Sequence, residues 1–277
     1  MPPSSTWTAA SSSARSCCGS ELSRPTRILV TNDDGITSPG LHALHAQLRS
    51  LGEVTMVAPD AERSAVGHAI TTLLPLRVKE FRRGRELLGY AVDGTPADCV
   101  KIGVGPLFEG AVDLVVSGIN LGSNTATNVI YSGTVSAATE ARILGIPSIA
   151  ISLDARVDPR WSYGAHLAKR IAAMVLSRGL PDRVLLNVNV PNLPRSEIKG
   201  IKVTRQGDSA FIADFAIRED PRRQPYYWLA GSYENRDEDP ETDSWALANG
   251  YVSITPISYD LTAHRALPTI AGWGWRK

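Results

Sequence analysis

Cysteine is scarce in this chain: three in 277 residues, at positions 17, 18 and 99. Cys17 and Cys18 are adjacent and poorly placed to bridge each other, and no metal-ligand spacing appears. That excludes a disulfide framework and favours a reducing cytoplasm, with Cys99 as a small core residue. Long apolar runs are also missing. None reaches the about 18 residues that a membrane span requires, so no membrane partner is expected. Charge of one sign is not in excess either, the formal net charge being +1. A general nucleic-acid or membrane-surface binder needs a basic surplus, so no stable nucleic-acid complex is expected. No Gly-x-Gly-x-x-Gly follows the first strand-like run, which argues against a dinucleotide-binding oxidoreductase. No internal repeat is visible.

Residues 1–24 have almost no aliphatic side chains as well. The segment is rich in Ser, Thr and Ala. Such a composition cannot bury enough surface to fold, and without an apolar h-region it is no secretory signal; it reads as a disordered tail.

What is present begins with Arg27-Ile28-Leu29-Val30-Thr31, an apolar run that leads directly into Asn32-Asp33-Asp34-Gly35. Ser38-Pro39-Gly40 then offers a helix cap and a proline for the first helical position, with Leu41, Leu44 and Leu48 on the buried face. Further buried strands are expected at Val54–Ala58, Asp113–Gly118, Ser148–Ser152 and Val184–Val190. A hairpin with a charged tip is expected within Leu74–Val92. Helices are expected from Thr95-Pro96, over about Thr134–Leu144, and from a cap at Asp158-Pro159. Strand-helix alternation of this kind specifies an α/β fold with a mainly parallel, doubly wound, Rossmann-like sheet over residues 25–192. After Pro191-Asn192-Leu193-Pro194 the texture changes. Strands at Ile201–Thr204, Tyr226–Leu229 and Tyr251–Thr255 flank an acidic loop at Glu234–Asp243, so residues 193–277 read as an antiparallel β-rich oligomerisation appendage.

Two adjacent carboxylates at the end of a buried strand lie where open α/β sheets bind ligands. Ionising both calls for a cation or strong donors nearby. On the pair alone, a metal site and a solvated Asp-Gly turn are equally supported. Three more clusters follow expected strands: Ala58–Ser64 with His68 nearby, Ser117–Asn124, and Tyr131–Ala138. Ser64 and Asn120 can add neutral oxygen ligands to the aspartates, a set that suits Mg²⁺ or Mn²⁺ better than zinc. Taken singly, a serine in the place of Ser64 is more often a helix cap and an asparagine in the place of Asn120 more often a turn residue; their joint placement after neighbouring strands is what favours the ligand reading. Ser132-Gly133-Thr134 enters a helix, where free backbone amides and two hydroxyls make an anion site, although plain N-capping explains it in isolation. A cation beside an anion cradle is what phosphate-ester hydrolysis needs.

Taken together, these segments resemble the SurE (stationary-phase survival) family of metal-dependent nucleotidases. The likeness rests on Ile28–Gly35, Ala58-Pro59-Asp60 with Arg63-Ser64, Gly94–Val100, Ser117–Asn120, Tyr131–Ala138, Val252–Pro256 and Asp260-Leu261-Thr262. It runs in order from about Arg27 to about Thr262. The resemblance implies a phosphatase of nucleoside 5′- or 3′-monophosphates with one divalent cation per subunit. By motif position Asp33 and Asp34 are the catalytic carboxylates, and Asp33, Asp34, Ser64 and Asn120 the metal ligands. Asn124, Ser132, Gly133 and Thr134 fall on the phosphate-contacting segment. It also implies a homodimer or homotetramer built by exchanging C-terminal elements. His68 is the candidate acid/base, although a lone loop histidine is more often structural. Two rivals are a non-catalytic, oligomeric nucleotide-sensing protein and a haloacid-dehalogenase-type phosphatase. The latter uses Asp-x-Asp, whereas the aspartates here are adjacent.

Overall fold

The apolar runs at 27–31, 54–58, 113–118, 148–152 and 184–190 all become strands of one sheet in the computed structural model of the chain, which describes residues 24–275. The expected disordered tail therefore lies almost wholly outside the described residues. In chain order the strands are β1 Arg27–Thr31, β2 Glu53–Pro59, β3 Val78–Arg83, β4 Glu86–Val92, β5 Leu114–Leu121, β6 Ser148–Asp154, β7 Val184–Pro191, β8 Gly200–Val203, β9 Ala210–Glu219, β10 Pro225–Glu234 and β11 Tyr251–Ser258. The helices are α1 Pro39–Leu48, α2 Pro96–Ile102, α3 Asn128–Tyr131, α4 Gly133–Ile143, α5 Trp161–Arg178, α6 Asp243–Ala248 and α7 Leu267–Ala271.

Nine strands form the main sheet in the order β3-β4-β2-β1-β5-β6-β7-β11-β8. From β4 through β7 every pairing is parallel, and the antiparallel pairings are at β3–β4 and β11–β7. Such a sheet needs cover on both faces. Leu41, Leu44 and Leu48 of α1 and Leu167, Ile171 and Val175 of α5 bury one face against Ile28, Val30, Val116 and Ile151. On the other, Cys99 and Val100 of α2 and Ala137 and Ala141 of α4 pack against Leu29, Val57 and Val115. Leu44 is wholly buried, and cutting such a side chain back to alanine costs about 2–5 kcal/mol.

The C-terminal part is less detached than its texture suggests. β11 pairs antiparallel with β7, and β8 pairs parallel with β11, so both extend the main sheet. Only β9 and β10 stand off, as a ten-residue antiparallel ribbon. The start of α5 also differs from expectation. Asp158 takes a left-handed conformation, φ +47°, and so cannot cap the helix. The helix begins instead at Trp161 without a side-chain cap, and the Arg160 amide before it donates to Asn192 Oδ1 at 2.9 Å, which ties the helix entry to the residue after β7.

Strand order reverses between β1 and β5, β2 lying on one side of β1 and β5 on the other. The segments that leave the C-terminal ends of β1, β2 and β5 therefore meet above one crevice.

Candidate active site

Asn32–Gly35 leaves β1 as a tight, internally bonded turn. Asn32 Nδ2 donates to the Gly35 carbonyl at 3.1 Å, and Gly35 has φ +96°, which a side chain would strain. The turn is tied to the segment after β2 by the Ile36 amide on Pro59 O (2.8 Å) and the Arg63 amide on Asp33 O (2.7 Å). Both aspartates are thereby held at the floor of a cleft of about 350 Å³, whose lining also includes Glu62, Ser64, Asn120, Asn124, Asn128, Tyr131 and Ser132.

Asp33 is 5 % exposed and accepts a hydrogen bond from the Thr134 hydroxyl. Burial pushes its carboxyl upward, and the Thr134 hydroxyl and the amides of Thr134 and Gly133 pull the other way. Asp34 has less help. Burial and the neighbouring Asp33 charge push its carboxyl up to about 7, and only the Leu121 amide opposes them. Its Oδ2 is buried and has no hydrogen-bond partner. Two neighbouring acids thus share a desolvated site, and no Lys or Arg pairs with either among the described residues.

Asn120 reaches the cleft because β5 is irregular. The β5–β6 register shifts between Ser117 and Asn120, around Gly118 at φ +133°. A Cβ at Gly118 would fall 2.2 Å from the Ile151 carbonyl, so only glycine fits the bulge. Asn120 Nδ2 donates to Gly122 O at 2.7 Å, which leaves Oδ1 available as a ligand. Ser64 Oγ donates to Glu62 Oε1 at 2.7 Å, and its lone pairs are likewise available. Asp33, Asp34, Ser64 and Asn120 therefore offer two anionic and two neutral oxygens to one cleft. No group of three or more His, Cys, Asp or Glu placed to hold a metal ion occurs among the described residues. A hard cation fits this donor set: it needs oxygen ligands and would meet the orphaned Asp34 Oδ2.

The expected phosphate segment divides. Asn124 and Ser132 line the cleft. Ser132 also caps α4, its Oγ accepting from the Val135 amide at 3.1 Å. Gly133 and Thr134 are buried beneath the cleft against Asp33. A Cβ on Gly133 would lie 2.7 Å from Asp33 Cβ, so the glycine serves the close approach of the aspartate itself. Asn124 is a keystone as well as a lining residue: its Nδ2 donates to Ser152 Oγ at 2.8 Å, and its amide donates to Asn189 Oδ1 at 2.8 Å.

His68 is not in the cleft lining. It borders a separate cavity of about 370 Å³ with Val135, Thr139 and Tyr259. Its Nε2 lies 2.8 Å from Glu140 Oε2, and Lys101 Nζ lies 2.6 Å from Glu140 Oε1. Against the pull of burial, these two partners hold the Glu140 carboxyl below its ordinary value. Glu62 and Tyr131 lie inside the clusters singled out after β2 and at the start of α4 but carry no role there, and Asn128 lies outside every cluster.

The family model described as survival protein SurE matches residues 28–212. A protein named 5′-nucleotidase SurE from Syntrophobacter fumaroxidans is 51 % identical over 247 residues, covering 89 % of this chain and 99 % of the relative. One of the same name from Syntrophus aciditrophicus is 52 % identical over 242 residues, with coverage of 87 % and 91 %. The crystal structure of the SurE protein from Aquifex aeolicus superposes with a TM-score of 0.78 at 46 % identity, covering 88 % of this chain and 98 % of that one.

Proposed function

The chain belongs to the SurE family, and from that premise we propose that it is a divalent-metal-dependent phosphomonoesterase, hydrolysing nucleoside 5′-monophosphates and also 3′-monophosphates to nucleoside and phosphate. The nucleotidase reading rests on relatives of this name that align over most of the chain. The observation that carries the metal reading is the buried Asp33–Asp34 pair, with Asp34 Oδ2 lacking any partner in a cleft that also presents Ser64 and Asn120.

In this proposal Asp33, Asp34, Ser64 and Asn120 hold one Mg²⁺ or Mn²⁺ per subunit. When bound, such a cation supplies Lewis acidity toward the phosphoryl group and toward the attacking water. The remaining work falls to the chain. The Thr134 hydroxyl fixes one oxygen of Asp33, and the Gly122 carbonyl fixes the rotamer of Asn120. Asn124 and Ser132 border the space left for the phosphoryl group, and the first turn of α4 contributes its positive end there. His68 is left out of the machinery because Glu140 engages it on a different cavity. The dehalogenase-type alternative falls with family membership.

Residues 25–192 would carry the chemistry and residues 193–277 the assembly, as a homodimer or homotetramer. Support for assembly comes from the ribbon, where Phe215, Ile217, Tyr227, Trp228 and Leu229 are each more than half exposed. A cytoplasmic location is proposed on the free, buried Cys99, and no helix among the described residues is long and apolar enough to cross a membrane. The test is a panel of nucleoside 5′- and 3′-monophosphates assayed for inorganic phosphate release. Activity on the 5′ series supports the proposal, and its absence across the panel refutes it.

A further inference from the structure

The loop that carries Asn124 into the cleft is gripped from two sides. Ser152 and Asn189 hold the Asn124 side chain and amide from the sheet, and Asn187 Nδ2 donates to the Asn124 carbonyl at 2.8 Å. The other grip comes from the C-terminal part. The Ala126 amide donates to Asp243 Oδ2 at 3.0 Å, and Gln206 Nε2 donates to the Ala126 carbonyl at 2.8 Å. Ala126 is fully buried and has φ +50°, a conformation that costs an L-residue about 1 kcal/mol or more and persists only when its surroundings impose it.

Asp243 is fully buried and takes no ion pair among the described residues. Its other oxygen, Oδ1, accepts from the Gly207 amide (2.9 Å), the Ser244 amide (2.8 Å) and the Ser244 hydroxyl (3.3 Å). A buried carboxylate outside the cleft, held wholly by donors from three segments, is costly unless each donor is placed for it. We propose that Asp243 is a positioning residue, whose carboxylate imposes the left-handed turn at Ala126 and so sets Asn124 and Asn128 in the cleft. The positioning of Asn124 toward phosphate rests on the function proposed above. The grip on the loop does not.

The geometry designs its own perturbation. In Asp243→Asn the amide oxygen stays with the three donors at Oδ1, and the new NH₂ then faces the Ala126 N–H, donor against donor. The variant should release the loop and leave the Gly207–Ser244 side in place. Gln206→Ala removes the second bond to Ala126 at an exposed residue and guards against a failure of Asp243→Asn to fold.

Two readouts separate the grip from its consequence. Amide hydrogen exchange over residues 122–131 should rise at least tenfold in Asp243→Asn, and less in Gln206→Ala, with the rest of the sheet unchanged. The inhibition constant of inorganic phosphate and the KM for a nucleoside monophosphate should rise together by about tenfold. Mn²⁺ affinity, measured by calorimetry without substrate, should stay at the parental value, because the proposed metal ligands lie on other segments or before the loop. A merely structural role would lower melting temperature and metal affinity together without singling out phosphate. Parental exchange in a folded Asp243→Asn overturns the proposal, as does parental exchange in Gln206→Ala should Asp243→Asn not fold. Raised exchange with an unchanged phosphate inhibition constant overturns the positioning role. A parental enzyme that releases no phosphate from any nucleotide sinks the functional reading instead, and the exchange result still decides the grip.

Discussion

Replacing Gly133 with alanine is a perturbation of one carbon atom whose consequence can be worked from the structure. The added Cβ would sit 2.7 Å from Asp33 Cβ and 2.9 Å from Asp33 Oδ2. Carbon–carbon contacts are favourable at about 3.5–4.0 Å, so one partner must move by roughly 0.8 Å. The helix backbone of α4 is the stiffer partner, being locked by the Ser132 cap and the α4–sheet packing. Asp33 is therefore displaced, and its bond from the Thr134 hydroxyl is stretched with it. Overpacking of this kind costs about 1–3 kcal/mol, which at roughly 2–4 °C per kcal/mol lowers the melting temperature by several degrees without unfolding the chain. Misplacing a group at a reacting centre by nearly an ångström costs about 10²-fold in rate. A thermal melt measures the first effect and phosphate-release kinetics the second, and a calorimetric titration should show Mn²⁺ affinity falling with the displaced Asp33. Gly105→Ala is the control, since nothing lies within 4 Å of a Cβ there. Turnover and Mn²⁺ affinity within twofold of the parent in Gly133→Ala would refute the reasoning.

Two further perturbations test the frame around the site. Asp98 accepts from the Thr71 amide (2.9 Å), the Thr71 hydroxyl (2.7 Å) and the Thr95 amide (2.9 Å), and against burial these bonds hold its carboxyl below the ordinary value of 3.8. A carboxyl depressed on folding adds stability that is present above its unfolded value and lost as pH falls through its folded one. Asp98→Asn should therefore cost about 1–3 kcal/mol in urea melts at pH 7 and progressively less below about pH 4; a gap constant with pH would contradict this. Truncation after Asn192 removes β11 and bares the edge of β7, so the product should be insoluble or unfolded, and a soluble, active fragment would show that β11 is dispensable. Light scattering of the full chain at micromolar concentration should give a dimer or tetramer, and a stable active monomer would overturn the assembly proposal.

Much of the fold was legible because its signals are local. Five apolar runs named five strands, Thr95-Pro96 opened α2, and Gly84 turned the β3–β4 hairpin as its charged tip implied. The candidate site was legible for a related reason: Asn32–Gly35 and Ser64 follow the C-terminal end of a strand, Asn120 lies at such an end and Ser132 enters a helix, and parallel topology gathers such ends. What the sequence withheld depends on partners distant along the chain. That β11 pairs with β7 and carries β8 beside it cannot be read from strands whose own pattern is antiparallel in texture. The entry to α5 is tied to Asn192, thirty-two positions beyond Arg160. That Gly133 leaves room for Asp33 is not legible either, because only packing reveals what lies opposite a glycine. The grip of Asp243 on Ala126 spans 117 positions and bears no motif.

The property on which the proposed chemistry depends is the need of the Asp33–Asp34 cleft for a divalent cation. The direct measurement is phosphate release from a nucleoside 5′-monophosphate by chelator-stripped protein, titrated with Mg²⁺ or Mn²⁺ in parallel for the parent and Asp34→Asn. No release is expected without cation, and recovery in the parent should saturate at one cation per chain. A loss of several orders of magnitude is expected in the folded Asp34→Asn at the same cation concentration. Undiminished release by the stripped parent, or near-parental turnover by Asp34→Asn at low cation, would contradict that need.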